Sequence, residues 1–272
     1  MARVIVTMAL VGMLGATAAL AADPAAIERL RTTGACARCD LNRADLKAAT
    51  MAGARMDRVR LRESDLKETD LSGADLTEAD LRRSDVEKSN LSGAKLDKAN
   101  LTGADFEKAN LTGASLRGAD LREADFENAT LDNADLSGAD ARTADLGRAS
   151  LNGVRLERAN LYQATLKRAR LRGARLNDAN MSWSRLDRAD FTGADLRGAD
   201  LSNARLRRTN FTNADLRGAK LDEADLRLAN LTGANLADAK GLSRDRLSAA
   251  CGTPASPLPD GLALKPCLKE TE

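Results

Sequence analysis

Leu71-Ser72-Gly73-Ala74-Asp75-Leu76-Thr77-Glu78-Ala79-Asp80-Leu81 holds the pattern that decides the fold: an apolar residue every five positions, with Asp just before it and Ala two before it. Outward from this stretch the phase continues without insertion or deletion from residue 41 to residue 236, through 40 consecutive five-residue units. An α-helix cannot use such a period, because one helical face recurs every 3.6 residues and a step of five winds the leucines around the axis. A fixed period sustained over most of a chain indicates stacked repeats.

A longer period lies inside the first. The residue two places after every fourth central apolar residue reads Gly53, Gly73, Gly93, Gly113, Asn133, Gly153, Gly173, Gly193, Asn213, Gly233. Gly and Asn reach positive φ at low cost, so the series predicts that one corner in four makes a turn demanding it. Phe106 and Phe126 are also twenty residues apart, as are Phe191 and Phe211. Four five-residue sides per coil predict an all-β square solenoid of about 10 coils, with like residues stacked at the inter-strand spacing of about 4.8 Å.

Residues 39 to 240 resemble the pentapeptide repeat family, whose consensus is A(D/N)LXX. The resemblance implies a right-handed quadrilateral β-helix in which the central residue and the small residue two before it point inward. Sterics agrees, since that small phase drifts no further from Ala than Ser64, Thr69, Val59 or Cys39 and never takes a charge. Ala141 stands where all other central positions carry Leu, Met, Val or Phe, and predicts a local void or inward relaxation.

The flanks read differently. Arg3, an apolar stretch over residues 4–14 and Ala19-Leu20-Ala21 have the three parts of a secretory signal peptide, with cleavage expected after Ala21. The expected location is the periplasm or the exterior, with no membrane span after cleavage, since the apolar stretch is too short to cross a bilayer. Residues 22–38 then form an N-terminal cap. Pro24 to Arg31 carries Ala25, Ala26, Ile27 and Leu30 on a short helical pattern ending at Gly34. Residues 241–272 form the C-terminal cap, with Ser243 opening a helix to about Ala250 and an extended, proline-rich strap beyond it. Lids of this kind cover the apolar core and unpaired strand edges that a solenoid exposes at its ends. Cys251-Gly252, Pro259-Asp260-Gly261-Leu262 and Cys267 are similar to the ends of other exported bacterial members of the family.

Four cysteines in an exported chain indicate disulfides. Ten coils separate the ends of the rod by about 48 Å, so Cys36 pairs with Cys39 and Cys251 with Cys267. The Cys36-x-x-Cys39 spacing has three readings: a structural clip on the first coil, a thiol redox motif, or half a zinc site. The absence of histidine removes the commonest zinc ligand and excludes c-type haem attachment.

No catalytic constellation appears. With no histidine the usual proton carrier at neutral pH is missing. Carboxylates recur in solvent-facing columns such as Asp65, Asp85, Asp105, Asp125 and Asp145, interleaved with Lys67, Lys88 and Lys108; such a column could bind calcium or be a solvated face. The chain reads as a non-enzyme with no cofactor and no metal.

Charge is more informative. Residues 60–140 hold 19 acidic and 11 basic residues, and residues 141–220 hold 8 acidic and 17 basic, so a near-neutral total of +2 conceals a dipolar rod. On one side the cations form a patch of Lys167, Arg168, Arg185, Arg188, Arg205, Arg207, Arg208 and Arg227. Tyr162 and Trp183, the only Tyr and Trp, fall on the adjacent side in neighbouring coils, with Arg142 preceding them. Exposed Trp, Tyr and Arg are the types that dominate protein interfaces, although a cross-strand aromatic pair can also merely support a ladder. The expected function is an exported structural or interaction scaffold. Its expected partner is another protein or an anionic envelope polymer rather than nucleic acid, and a homodimer is possible. Some members of the resembled family mimic DNA, bind topoisomerase and confer quinolone resistance, a reading that calls for a cytoplasmic, acidic rod. A periplasmic thiol oxidoreductase using Cys36 and Cys39 is the third reading.

Overall fold

A computed structural model describes residues 22–253, 256–259 and 261–267. The expected signal peptide and its cleavage point lie outside the described residues, as do Pro254, Asp260 and the last residues of the strap.

The backbone repeats every twenty residues. Parallel bridges join each residue before a central position to its counterpart one coil on, from Ala35↔Arg55 through Asp105↔Asp125 to Lys220↔Lys240, with no slip of register. The stacked rings of Phe106 and Phe126, and of Phe191 and Phe211, confirm that residues twenty apart lie in adjacent layers. Each unit makes three bonds between layers. In the Phe106 unit, Asp105 N–H donates to the Ser84 carbonyl at 3.0 Å, Phe106 N–H to the Asp125 carbonyl at 2.7 Å, and Lys108 N–H to the Glu127 carbonyl at 3.1 Å. The turn closes within the unit, as Ala109 N–H donates to the Phe106 carbonyl at 2.9 Å.

The inward positions are those expected. Central residues and the small residues two before them are buried all along the stack and form one continuous core. The hydroxyls that enter the small phase are satisfied there: Ser64 Oγ donates to the Leu61 carbonyl at 2.6 Å and Thr209 Oγ1 to the Leu186 carbonyl at 2.9 Å. Pairing of this kind removes the cost of burying a hydroxyl.

Three expectations need correction. Positive φ is not confined to one corner in four. The residue two places after the central one is left-handed on every side, and 28 non-glycine residues adopt it, among them Lys108 at 60°, Thr143 at 60° and Trp183 at 62°. The turn takes a positive φ at its third residue whatever the side chain, because that residue's N–H must reach the next layer; the left-handed cost of about 1–2 kcal/mol for an L-residue is met by the ladder. Space does not explain the glycine side, since a Cβ at Gly53, Gly73 or Gly113 would meet nothing within 4 Å.

Ala141 is the second, in part: of the void or inward relaxation expected there, the relaxation does not occur. It is buried, and its N–H reaches the Asn160 carbonyl at 2.7 Å, the same length as the Leu121 bond one layer earlier. The ladder therefore does not relax inward at this course.

The ends supply the third. α1 (Pro24–Thr33) is capped by Asp23, whose side chain accepts from Ala25 N–H, and is stopped by Gly34 at φ 64°. It buries Ala26 and Leu30 against the core with Ile27 beside them, but Ala25 faces solvent. α2 (Arg244–Leu247) starts where expected, with Ser243 accepting from Arg246 N–H, and ends short of Ala250. Beyond it the chain is not a loose strap. Cys251–Gly252 pairs in parallel with Asn230–Leu231, Cys251 bridges to Lys265, and Leu236 N–H donates to the Pro257 carbonyl at 2.8 Å, so the tail extends the ladder. Both expected disulfides are formed, with Cα atoms 5.3 Å apart for Cys36–Cys39 and 4.7 Å for Cys251–Cys267. No described helix is long and apolar enough to cross a membrane.

Candidate interaction surface

The outward positions explain why the repeat carries Asp or Asn before its central residue. That side chain accepts the N–H two residues on, as in Glu107 N–H to Asp105 Oδ1 at 2.8 Å, Glu127 N–H to Asp125 Oδ1 at 2.7 Å and Thr232 N–H to Asn230 Oδ1 at 3.0 Å. The donor is one that the ladder leaves free, so Asp and Asn are local turn formers here. Among the described residues no group of three or more acidic, Cys or His side chains is arranged to hold a metal. The carboxylate column of residues 65 to 145 is thus occupied in shaping corners.

Where Asp precedes and Arg follows the central residue, a second use appears. Arg122, Arg142, Arg197, Arg217 and Arg227 each fold back to fork the carboxylate two residues before; Arg197, for example, donates to Asp195 at 2.8 and 2.6 Å. The fork, helped by the backbone donor, holds the Asp195 carboxyl below its ordinary range.

The side carrying Lys167, Arg168, Arg185, Arg188, Arg205, Arg207 and Arg208 lacks this device in those three layers, and regains it only at Arg227 and Asp225. The position before its central residue is Thr165, Arg185 and Arg205 in three successive layers, so the carboxylate that would neutralise a following arginine is absent. Arg168, Arg188 and Arg208 stack as one column, joined by the bonds from Arg168 N–H to the Asp187 carbonyl and from Arg188 N–H to the Arg207 carbonyl. All three side chains are exposed and have no ion-pair partner among the described residues. Asp187 is the only acid on this side of these layers; Arg205 lies 3.6 Å from it, while Arg207 lies 4.0 Å from Asp225, already forked by Arg227.

The column runs into a groove of about 1140 Å³ at the C-terminal end, lined by Arg188, Arg208, Leu228, Ala249, Cys251 and Lys265. Leu228 is 56% exposed, and with Trp183 at 55% it is one of the two large apolar side chains left uncovered among the described residues. The sequence reading missed Leu228, although an apolar residue at an outward phase that continues the column of Arg168, Arg188 and Arg208 was a visible signal.

Tyr162 and Trp183 are not brought together as a stacked pair. The aromatic pairs among the described residues are the two phenylalanine stacks in the core. Tyr162 lies between Arg142 and Ser182 in the ladder sense, and Trp183 between Gln163 and Asn203, so the two are diagonal across one layer step. Arg142 is committed to Asp140 at 2.7 Å. What remains is a lone exposed Trp183 on the side next to the cation column.

A family model described as pentapeptide repeats matches eight copies spanning residues 39–240. The crystal structure of HetL, a pentapeptide repeat protein involved in heterocyst differentiation regulation in the cyanobacterium Nostoc sp. strain PCC 7120, is 33% identical over 82% of this chain and 91% of that one, with a TM-score of 0.48. QnrB1, a plasmid-mediated fluoroquinolone resistance protein, is 21% identical over 62% of this chain and 88% of that one, with a TM-score of 0.56, a likeness of fold. No curated protein sequence matches the chain.

Proposed function

The chain belongs to the pentapeptide repeat family, whose fold is a right-handed quadrilateral β-helix, and we propose that it is an exported, non-enzymatic scaffold whose arginine-rich side docks an anionic partner, a protein or an envelope polymer. The observation that carries this reading is the column of Arg168, Arg188 and Arg208, exposed and unpaired among the described residues, beside the uncovered Leu228 and Trp183. Arginines directly after a central residue, such as Arg197 and Arg217, fork the aspartate before it; Arg168, Arg188 and Arg208 stand one place further on, in three successive layers, with no such partner among the described residues.

Export is supported by the leader-like first 21 residues and by two disulfides, bonds that persist in oxidising compartments. A structural role for Cys36–Cys39 is supported by burial: Cys36 is 1% and Cys39 7% exposed, under α1, whereas an exchanging disulfide must be reached by an attacking thiolate. The DNA-mimic reading has little support, because it needs a markedly acidic rod and this one has a net charge of +2, with 17 basic against 8 acidic residues over 141–220.

The test is capture from an envelope extract by three immobilised proteins: the intact chain, Tyr162→Ser/Trp183→Ser, and Arg188→Glu/Arg208→Glu. The reading expects a partner retained by the intact chain, released by salt, and lost from both variants while their thermal midpoints stay within a few degrees. Equal capture by all three would remove it.

A further inference from the structure

The side that bears the arginine column is not basic along its whole length. Between residues 85 and 145 its outward positions hold seven carboxylates and two lysines; between residues 165 and 208 they hold seven cations and one carboxylate. Both halves are columns of like charge. Asp85, Asp105, Asp125 and Asp145 follow one another by direct bridges, as Arg185 and Arg205 do, so each carboxylate has a like neighbour about 4.8 Å away. Asp105, Asp125 and Asp145 have no ion-pair partner among the described residues. Burial first, then the Asp85 and Asp125 carboxylates, push the Asp105 carboxyl above its ordinary range. Asp85, Glu87, Glu107 and Glu127 are paired within the rod with Lys67, Lys88, Lys108 and Arg148, but the net charge of each half is of opposite sign, and the unpaired aspartates of one are what the unpaired arginines of the other lack.

We propose that a second copy of this chain docks on this side, with the two rods antiparallel and the acidic half of one against the basic half of the other. Symmetry selects the direction. A two-fold axis along the rods would set every layer on its own copy, acid on acid and arginine on arginine. A two-fold axis across the rods reverses the order of layers while keeping each position across the face and, centred between the Leu146 and Leu166 layers, sets Asp125 opposite Arg185, Asp105 opposite Arg205 and Glu107 opposite Arg207. The surface permits a close approach at that pivot, because Gly147 replaces a side chain there. It leaves a notch of about 380 Å³ lined by Glu127, Asp145, Arg148, Thr165 and Lys167, where the two signs meet. The six layers from Phe106 to Leu206 span about 29 Å at about 4.8 Å each. An interface this narrow, held by exposed charge, is small for a permanent dimer and dissociates with salt. The inference goes beyond the scaffold reading: it concerns the purified protein alone and makes self-pairing a competitor for the surface an anionic partner would use.

The experiment uses the full mature chain in sedimentation equilibrium and small-angle X-ray scattering, at about 20 mM and about 0.5 M NaCl, where the screening length falls from more than 20 Å to a few ångströms. Asp105→Lys/Glu107→Lys and Arg205→Glu/Arg207→Glu are measured singly and mixed one to one. The expected result is a twofold mass at low salt for the intact chain, at the scattering length of a single rod. The dissociation constant should weaken at least tenfold in high salt, each variant should be monomeric alone, and the mixture should be dimeric, since every reversed contact becomes attractive again. Recovery in the mixture also proves that both variants are folded. An intact chain monomeric at low salt, a dimer indifferent to the reversals, or a dimer of doubled length, as end-to-end pairing would give, overturns the proposal. Loss of self-pairing with partner capture intact would leave the scaffold reading standing.

Discussion

The ring of Phe126 lies on that of Phe106 with centroids 4.9 Å apart and planes within 10° of parallel. Two side chains twenty residues apart meet face to face in the middle of the rod, which requires the chain to return to the same position after one coil of twenty residues. Both are fully buried. Phe126→Ala removes the stack and leaves a void the ladder cannot close, and is expected to cost about 3–5 kcal/mol, read from urea unfolding with the slope unchanged.

Ala141 makes the converse case. Because the interlayer bonds around it keep their ordinary length, the volume missing beside its methyl group has not been taken up by the backbone. Ala141→Leu should therefore stabilise by about 1–2 kcal/mol, seen as a higher urea midpoint. A destabilised variant would show that Leu121 and Leu161 already fill the space.

The left-handed corners predict where small residues help. Thr143 is β-branched, exposed and held at φ 60°. Thr143→Gly should stabilise by about 0.5–1 kcal/mol, the relief of left-handed strain less the entropy of glycine. The same change at Gln163, which is unbranched, should give less, and differential scanning calorimetry of the two would rank them.

The carboxylates separate by pH. Arg197 holds Asp195 below its ordinary range, so that group stabilises the fold above the usual aspartate pKa and its contribution is lost as pH falls through the lowered value. Asp105 is raised, so its ionised form opposes folding at neutral pH and the penalty vanishes as pH falls through the raised value toward the ordinary one. Asp195→Asn should lower and Asp105→Asn raise the unfolding midpoint at pH 7, each by less than about 1 kcal/mol, and both differences should shrink at pH 3. Asn keeps the turn acceptor in each case, and dilute protein avoids any coupling to association.

The Cys251–Cys267 bridge spans 16 residues and ties down the layer that covers Asn230–Leu231. Cys251→Ser/Cys267→Ser should cost about 3 kcal/mol and, by hydrogen exchange, expose the amides of the last coils while leaving those near Phe106 protected.

The core was readable because both periods are set by packing: a five-residue period by the side, a twenty-residue one by the stacked phenylalanines. The left-handed corner at Lys108, Thr143 or Trp183 was not, since propensity allots positive φ to Gly and Asn while here interlayer hydrogen bonds override it. The glycine series therefore marked the right period for an incomplete reason. The turn role of Asp105 and Asp125 was hidden by their charge, which drew attention outward when the acceptor points back to the chain. Cys251–Gly252 carries no repeat signature, so its place in the ladder could not be read from a motif. At the surface the arginine column was visible once the sides were separated, but the single step between Tyr162 and Trp183 was read as a contact when the register sets them diagonally. Leu228 was passed over because one apolar residue among outward charges breaks no period.

The central claim is that twenty residues make one layer throughout, so that charges on a side are columns with fixed spacing. Spin labels placed through Glu78→Cys and Asp238→Cys sit at the same corner eight layers apart, and pulsed electron resonance in about 0.5 M NaCl, which dissociates charge-held pairs, reads the distance between them. The account predicts one narrow distribution near 38 Å, eight spacings of about 4.8 Å. A broad distribution, or a maximum below about 25 Å, which no stack of eight such layers can give, would contradict it.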